Sequence, residues 1–320
     1  MIAYSLLQGL VFIAIGPLVA GMLCWVKARL QRRQGVAILQ PYRDLAKLLT
    51  KRPVVPQTAS VVFLYAPLII FACYAALGFM APVFCLPGEG LSSSGDLVIL
   101  IALLTLARLI TGLAGMDAGS PFGGLGSSRE LFLNVLTEPT LLFVAYTLAL
   151  THHTTDLSLA MNGNFDATVK DVYAQPPFLL MVLSVALVSL AEAGRLPVDN
   201  PASNLELTMF GKAIHLEYGG SQLALLEWAE ALRLTFLITL LLNLLAPWLL
   251  ASADRSLWLN VLLVLLFPMK LLVVTVVLAL WESLQAKMRL RAIVTPALTA
   301  LAMAVIAVIL AIAERYLLQG

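Results

Sequence analysis

The chain has 320 residues, 61% of them hydrophobic and only 12% charged, with a formal net charge of +2 and a mean hydropathy of +0.94. That balance excludes a soluble globular domain and defines an integral membrane protein. Its three cysteines, Cys24, Cys73 and Cys85, lie in or at the ends of apolar runs without C-x-x-C spacing. They form no thiolate set for zinc or an iron–sulfur cluster, and they read as packing residues.

A membrane-crossing helix needs about 20 predominantly apolar residues. Windows of that kind fall at 2–26, 61–85, 97–115, 131–151, 178–193, 223–251, 258–281 and 296–313. The expected fold is therefore all-α, with eight transmembrane helices in a single membrane domain over residues 1–320. The first run starts at Ile2 without a preceding positive charge and continues past the length of a signal-peptide core, so it is expected to stay as a span. The loop after it, 27–52, carries Lys27, Arg29, Arg32, Arg33, Arg43, Lys47, Lys51 and Arg52 against the single acid Asp44. The positive-inside rule places this loop in the cytoplasm and the N-terminus outside. Within it, residues 42–49 have apolar side chains at helical spacing and predict an amphipathic helix, on the membrane surface or under a partner. A basic run bounded by spans on both sides is a topology signal, not a nucleic-acid site.

Further along, the loops at 89–96 and 152–171 hold mostly acids, while Lys287, Arg289 and Arg291 precede the last span. Both termini are then outside. No fixed-period repeat is visible, and no inverted pair of broken hydrophobic segments, which argues against a secondary carrier.

Several charges lie at membrane depth: Arg108, Glu138, Glu192 and Lys270. Each such charge costs about 2.5–3.5 kcal/mol at the bilayer centre, so these residues face the bundle or water, either as structural ion pairs or as part of an ion path. The densest polar stretch runs from Glu192 to Arg233. It contains Glu192, Asp199, Glu206, Glu217, Glu227 and Glu230, six of the chain's 18 acids. Pro197 and Pro201 forbid a continuous helix; Asn200-Pro201 reads as an N-cap followed by proline at the first helical position, opening a short helix to Lys212. Glu217 to Ser221 reads as a break, with Ser221 capping the next helix. Broken backbone between two spans is tolerated where protein buries it or where it lines a wet cavity. With only Arg195, Lys212 and Arg233 nearby, the acids cannot all stay charged in a partly dry site, which in chemical terms is a proton path. Glu230 and Arg233, three residues apart, read as an ordinary ion pair.

These residues resemble a known family, subunit 1 of respiratory complex I and its relatives in membrane-bound nickel–iron hydrogenases. The likeness is carried by Ala191, Glu192, Arg195, Pro197 and Asp199, then Glu206-Leu207 and Glu217-Tyr218-Gly219-Gly220. In the first loop Gln34-Gly35, Leu39-Gln40, Tyr42, Asp44, Lys47-Leu48 and Pro56 match, and so do Lys270, Glu282 and Arg289-Leu290-Arg291. Ala107-Arg108, the run from Gly115 to Phe122, Gly126 to Glu130 and Glu138-Pro139 are similar to the hydrogenase branch of formate hydrogenlyase, hydrogenase-4 and carbon-monoxide-induced types. The resemblance implies a membrane anchor in the bacterial or archaeal cell (inner) membrane. It would dock a hydrogenase small subunit with iron–sulfur clusters and a large subunit with the nickel–iron site, beside antiporter-like membrane subunits. It implies no cofactor, metal or catalytic centre in this chain. Glu138, Glu192, Asp199, Glu206, Glu217 and Lys270 would lie on a proton or sodium path, and Arg43, Asp44, Lys47, Asp117, Arg129, Glu130, Arg195 and Lys212 in the cavity or docking face. Lys212 stands where such relatives often have an acid, and is expected to pair with Glu206 or Glu217. The alternatives are a quinone-site subunit of an NADH:quinone oxidoreductase-type complex and, in another class, a stand-alone ion carrier or structural anchor.

Overall fold

Local chemistry sets where the helices begin. Ser60, Asp96 and Ser120 each stand in extended backbone and accept a hydrogen bond from an amide two or three residues on, at 3.2, 2.9 and 3.0 Å. The computed structural model describes residues 2–56, 59–84, 95–166, 175–192, 211–246, 250–251, 257–284 and 294–319. It contains α1 (Ile2–Leu30), α2 (Gln40–Leu49), α3 (Val61–Met80), α4 (Leu97–Asp117), α5 (Pro121–His152) and α6 (Leu157–Asp166). The second half contains α7 (Pro176–Glu192), α8 (Gly211–His215), α9 (Gly220–Leu245), α10 (Leu257–Leu284) and α11 (Val294–Gln319).

Each apolar run found in the sequence contains a helix among the described residues. Six of them, in α1, α3, α4, α5, α10 and α11, are long and apolar enough to cross a membrane; α7 is a shorter apolar helix. The amphipathic helix is present as α2, with Leu45 buried and Arg43 and Lys47 exposed. In addition, the outer loop expected at 152–171 contains α6, capped by Asp156, whose Oδ1 accepts from Ser158 N at 2.9 Å. The acids Asp96 and Asp156 thus serve as helix caps, and a bridge between them ties the start of α4 to the start of α6.

Two helix starts differ from expectation. α5 begins at Pro121, ten residues before the predicted span, because Ser120 and Pro121 form a cap and first turn. The small residues that interrupt the apolar pattern there are needed for a close helix crossing: a side chain on Gly123 would overlap the Gly115 carbonyl of α4. Ser221 is not a cap. Gly219 occupies that position, and Gly220, with φ +57°, lies against the carbonyls of Lys51 and Arg52, where a side chain has no room.

The packing is a chain of helices around α9. Neighbours run α1 to α3, α3 to α4, α4 to α5, with α7 and α11 closing on α5, while α9 lies against α1, α2, α3 and α7 and buries most of its length. One end of the bundle gathers the first basic loop, the α4–α5 turn and α8: Asp117 bonds Ser60, Lys27 bonds Glu282, and Tyr218 donates to Phe63 O at 3.2 Å and stacks on its ring. The opposite end is held by Gln8 on the Ala81 carbonyl and Asn243 on the Pro82 carbonyl.

Candidate functional site

From the end that carries α8, a series of charges, partly exposed at the mouth and buried further in, leads into the bundle. Glu227, Glu230 and Arg233 are spaced three apart and so share one face of α9. Lys212 of α8 meets that face, with Nζ 2.7 Å from Glu227 Oε1 and 3.2 Å from Glu230 Oε2. His215, one turn on, places Nε2 3.5 Å from Glu230 Oε1. Deeper in, Arg233 Nη1 lies 3.1 Å from Glu130 Oε1 of α5. Tyr74 of α3 is buried beside Arg233 and Arg108. Arg108 of α4 ion-pairs with Glu192 at the end of α7 and donates from Nη1 to Thr137 Oγ1 at 3.1 Å. Glu138, half-buried beside Pro139, lies within the field of Arg108.

The two bases at the mouth titrate in opposite directions. Burial alone lowers the Lys212 ammonium, but the carboxylates of Glu230 and Glu227 outweigh it and hold the group above its ordinary range. Burial lowers the His215 imidazole, the attraction of Glu230 compensates only partly, and nearby Lys212 pushes further down. His215 is neutral at pH 7 and Lys212 is charged. Among the described residues, Arg108 Nε, Glu192 Oε1, Ser127 Oγ, Asn134 Nδ2 and His215 Nδ1 are buried without a protein partner. Buried polar atoms of this kind are normally satisfied by ordered water.

Of the residues assigned to the ion path or the docking face, Glu192 and Lys212 lie in this line, with Glu138 next to it. Glu130, expected on the cavity or docking face, is an internal counter-ion. Glu217 is half-buried in the turn before α9, and Lys270 is half-buried on α10, which packs chiefly on α1. Asp199, Glu206 and Arg195 lie outside the described residues. Arg43 and Lys47 are exposed, Asp44 accepts from Gln40 Nε2 at 2.8 Å, and Arg129 is half-buried near the start of α5. Asp117 Oδ2 takes the Ser60 amide and hydroxyl and the Phe63 amide at 2.9, 2.8 and 3.1 Å, so it caps α3 from another helix.

Two pairings differ from expectation among the described residues. Lys212 binds Glu227 and Glu230, not Glu217, because α8 brings its basic side chains onto the acidic face of α9; Glu206, the other expected partner, lies outside the described residues. Arg233 turns from Glu230 to Glu130, since Glu130 is buried and requires a counter-ion while Glu230 already has Lys212. Sequence reasoning missed Tyr74, His215 and Thr137. A signal was available on α5: Ser127, Glu130, Asn134 and Thr137 follow 3, 4 and 3 residues apart, a polar stripe on a buried face. Among the described residues no group of three His, Cys, Asp or Glu side chains is placed to hold a metal ion.

Comparison with known proteins gives the following. The family described as NADH dehydrogenase matches residues 3–313. Formate hydrogenlyase subunit 4 of Escherichia coli (strain K12) is 31% identical over 304 residues, which cover 93% of this chain and 94% of that protein. Hydrogenase-4 component C of the same organism is 31% identical over 253 residues, 78% of this chain and 76% of that protein. An NADH-quinone oxidoreductase subunit of Symbiobacterium thermophilum is 30% identical over 205 residues, 60% of this chain and 58% of that protein. Among solved structures, a chain of the membrane-bound sulfane sulfur reductase, an archaeal respiratory membrane complex, has a TM-score of 0.74 over 95% of this chain and 98% of its own, at 18% identity. That likeness is one of fold.

Proposed function

Because the chain belongs to the NADH dehydrogenase family, we propose that it is the membrane anchor and ion-path subunit of an energy-converting nickel–iron hydrogenase complex of the formate hydrogenlyase or carbon-monoxide-linked type. The observation that carries this reading is the match to formate hydrogenlyase subunit 4 along 94% of that protein, against 58% of the quinone oxidoreductase subunit. In this reading α7 and α9 complete eight crossings, both termini face outward, and the membrane is the bacterial or archaeal cell membrane. The end bearing α2, α8 and the α4–α5 turn faces the cytoplasm and docks the hydrogenase small and large subunits, which hold the iron–sulfur clusters and the nickel–iron site. Antiporter-like subunits lie alongside in the bilayer.

The chain's own part is to carry ions. Support comes from the alternation of acid and base from Glu227 through Glu192, with unpartnered buried polar atoms along it. A path of this kind moves protons when its carboxylates exchange partners, and Lys212 at its mouth decides when Glu227 and Glu230 are free to do so. Asp199 and Glu206, by the family resemblance, extend it toward the docked subunits.

The test is purification of the complex from native membranes through a tag on this chain, with assays for nickel and hydrogen evolution. Nickel and hydrogenase subunits in stoichiometric amount are the expected result. An active chain without them, or one purified with bound quinone and no nickel, overturns the reading.

A further inference from the structure

Pro17 lies inside α1. It has no amide hydrogen, so the carbonyl of Ile13, four residues earlier, loses its partner within the helix. In a membrane such a freed carbonyl must be satisfied by a neighbour. Here the indole Nε1 of Trp228 on α9 donates to Ile13 O at 3.0 Å. The hydroxyl of Tyr42 on α2 donates to the adjacent carbonyl, that of Ala14. Gly16 brings α9 close at the same level, since a side chain there would run into Leu232. Three elements are therefore pinned at one proline-opened turn. Trp228 directly follows Glu227 and precedes Glu230 by two residues, and its ring also rests against Phe71 of α3, with centroids 5.2 Å apart.

We propose that Trp228 is a positioning residue for the acidic cluster: by holding α9 to the opened turn of α1 it fixes the rotation that sets Glu227 and Glu230 on Lys212, and Tyr42 brings α2 into the same joint. This links the exposed helix α2 to the mouth of the buried line. Its use in coupling rests on the docking role given to α2 above; the joint itself does not. A rotation of α9 by one residue's worth, about 100°, would carry Glu227 off the face that meets α8. A single lost hydrogen bond at a helix joint is enough to bias such a rotation, because the packed alternatives are discrete.

The test uses the intact tagged complex and a hydrophobic carbodiimide, dicyclohexylcarbodiimide, which reacts with protonated carboxyls; labelling of Glu227 and Glu230 is read by mass spectrometry. In the natural protein both carboxylates lie on the Lys212 ammonium, which sets the reference level of labelling, and Lys212→Met sets the upper limit. Trp228→Phe keeps an aromatic side chain but removes the N–H along with the second ring, and it should raise labelling by about tenfold, in line with the loss of a charge-assisted partner. Tyr42→Phe should raise it in the same direction by less. The decisive variant is Pro17→Ala combined with Trp228→Phe, which gives Ile13 O an intrahelical partner again. If Trp228 positions α9, labelling stays high in the double variant. If it merely satisfies a stray carbonyl, labelling returns to the natural level and the proposal is overturned. Unchanged labelling in Trp228→Phe overturns it as well, and unchanged labelling in Tyr42→Phe overturns the link to α2. Labelling requires no hydrogen turnover, so a complex that labels as expected but lacks nickel refutes the proposed function and leaves the joint standing.

Discussion

Replacing Glu192 by Gln removes one charge from the most deeply buried ion pair among the described residues. The side chains of Arg108 and Glu192 are 1% and 3% exposed, and Arg108 has one further hydrogen bond, to Thr137. An amide keeps the size of the carboxylate and one acceptor oxygen, but leaves the guanidinium without a counter-charge. Stranding a buried charge in this way costs about 3–5 kcal/mol, and the retained acceptor together with nearby Glu138 places the expected loss toward about 3 kcal/mol. Removing both charges by Arg108→Met with Glu192→Met replaces the pair by apolar side chains of similar volume, which should be within about 1–2 kcal/mol of the natural protein. Reversible unfolding in mixed detergent micelles, followed by helical circular dichroism, gives the free energies for a double-mutant cycle with Arg108→Met and Glu192→Met as its single variants. With each single variant stranding one buried charge at about 3 kcal/mol or more, and the double variant costing about 1–2 kcal/mol, the coupling between the two positions should reach about 4–5 kcal/mol. A Glu192→Gln protein within about 1 kcal/mol of the natural one would show that Arg108 is stabilised by something other than Glu192, and the reasoning from a stranded charge would fail.

Other consequences concern the mouth of the line and the two faces of the membrane. His215 is held below its ordinary range by burial, so the unfolded chain binds the proton more readily; its contribution is complete above the unfolded value near about 6.5 and is lost as pH falls below it, with a limiting slope of about 1.4 kcal/mol per pH unit. Stability measured from about pH 8 down to about pH 5 should show that slope, and His215→Gln should flatten it. Lys212 is partly exposed, so Lys212→Met should change stability by less than about 1 kcal/mol, yet alter the pH profile of hydrogen turnover; an unchanged profile would remove Lys212 from the ion path. Single cysteines at Arg33 and Met288 should react with a membrane-impermeant thiol reagent only from the cytoplasmic side, and one at Asn162 only from outside; Arg33 and Asn162 reacting from the same side would end the eight-crossing arrangement. Charge reversal of the exposed Arg43 and Lys47 should release the hydrogenase subunits while this chain remains inserted, as judged by what the tagged chain retains on purification.

Much of the architecture is legible in one dimension because lipid imposes local requirements. A helix that crosses the bilayer must be apolar over about 20 consecutive residues, and an interfacial one must alternate at helical spacing, so the spans and α2 can be read from neighbours in the chain. The cost of charge at membrane depth likewise marks Arg108, Glu138 and Glu192 by their positions in the apolar runs alone. Which charge meets which is not legible there, because partner choice is a property of helix packing. Arg233 has Glu230 three residues away and yet pairs with Glu130, 103 positions distant, and Lys212 takes the two acids of α9 in preference to Glu217 in its own turn. Those choices follow from crossings made close by Gly115, Gly123 and Gly16, which bring buried faces together at depths the linear pattern does not encode. The polar character of the line is thus written in the residues, while its order, from Lys212 through Arg233 to Glu192, exists only once α4, α5, α7, α8 and α9 are packed, since its inner charges, Arg233, Glu130, Arg108 and Glu192, are tolerated through counter-charges that another helix supplies.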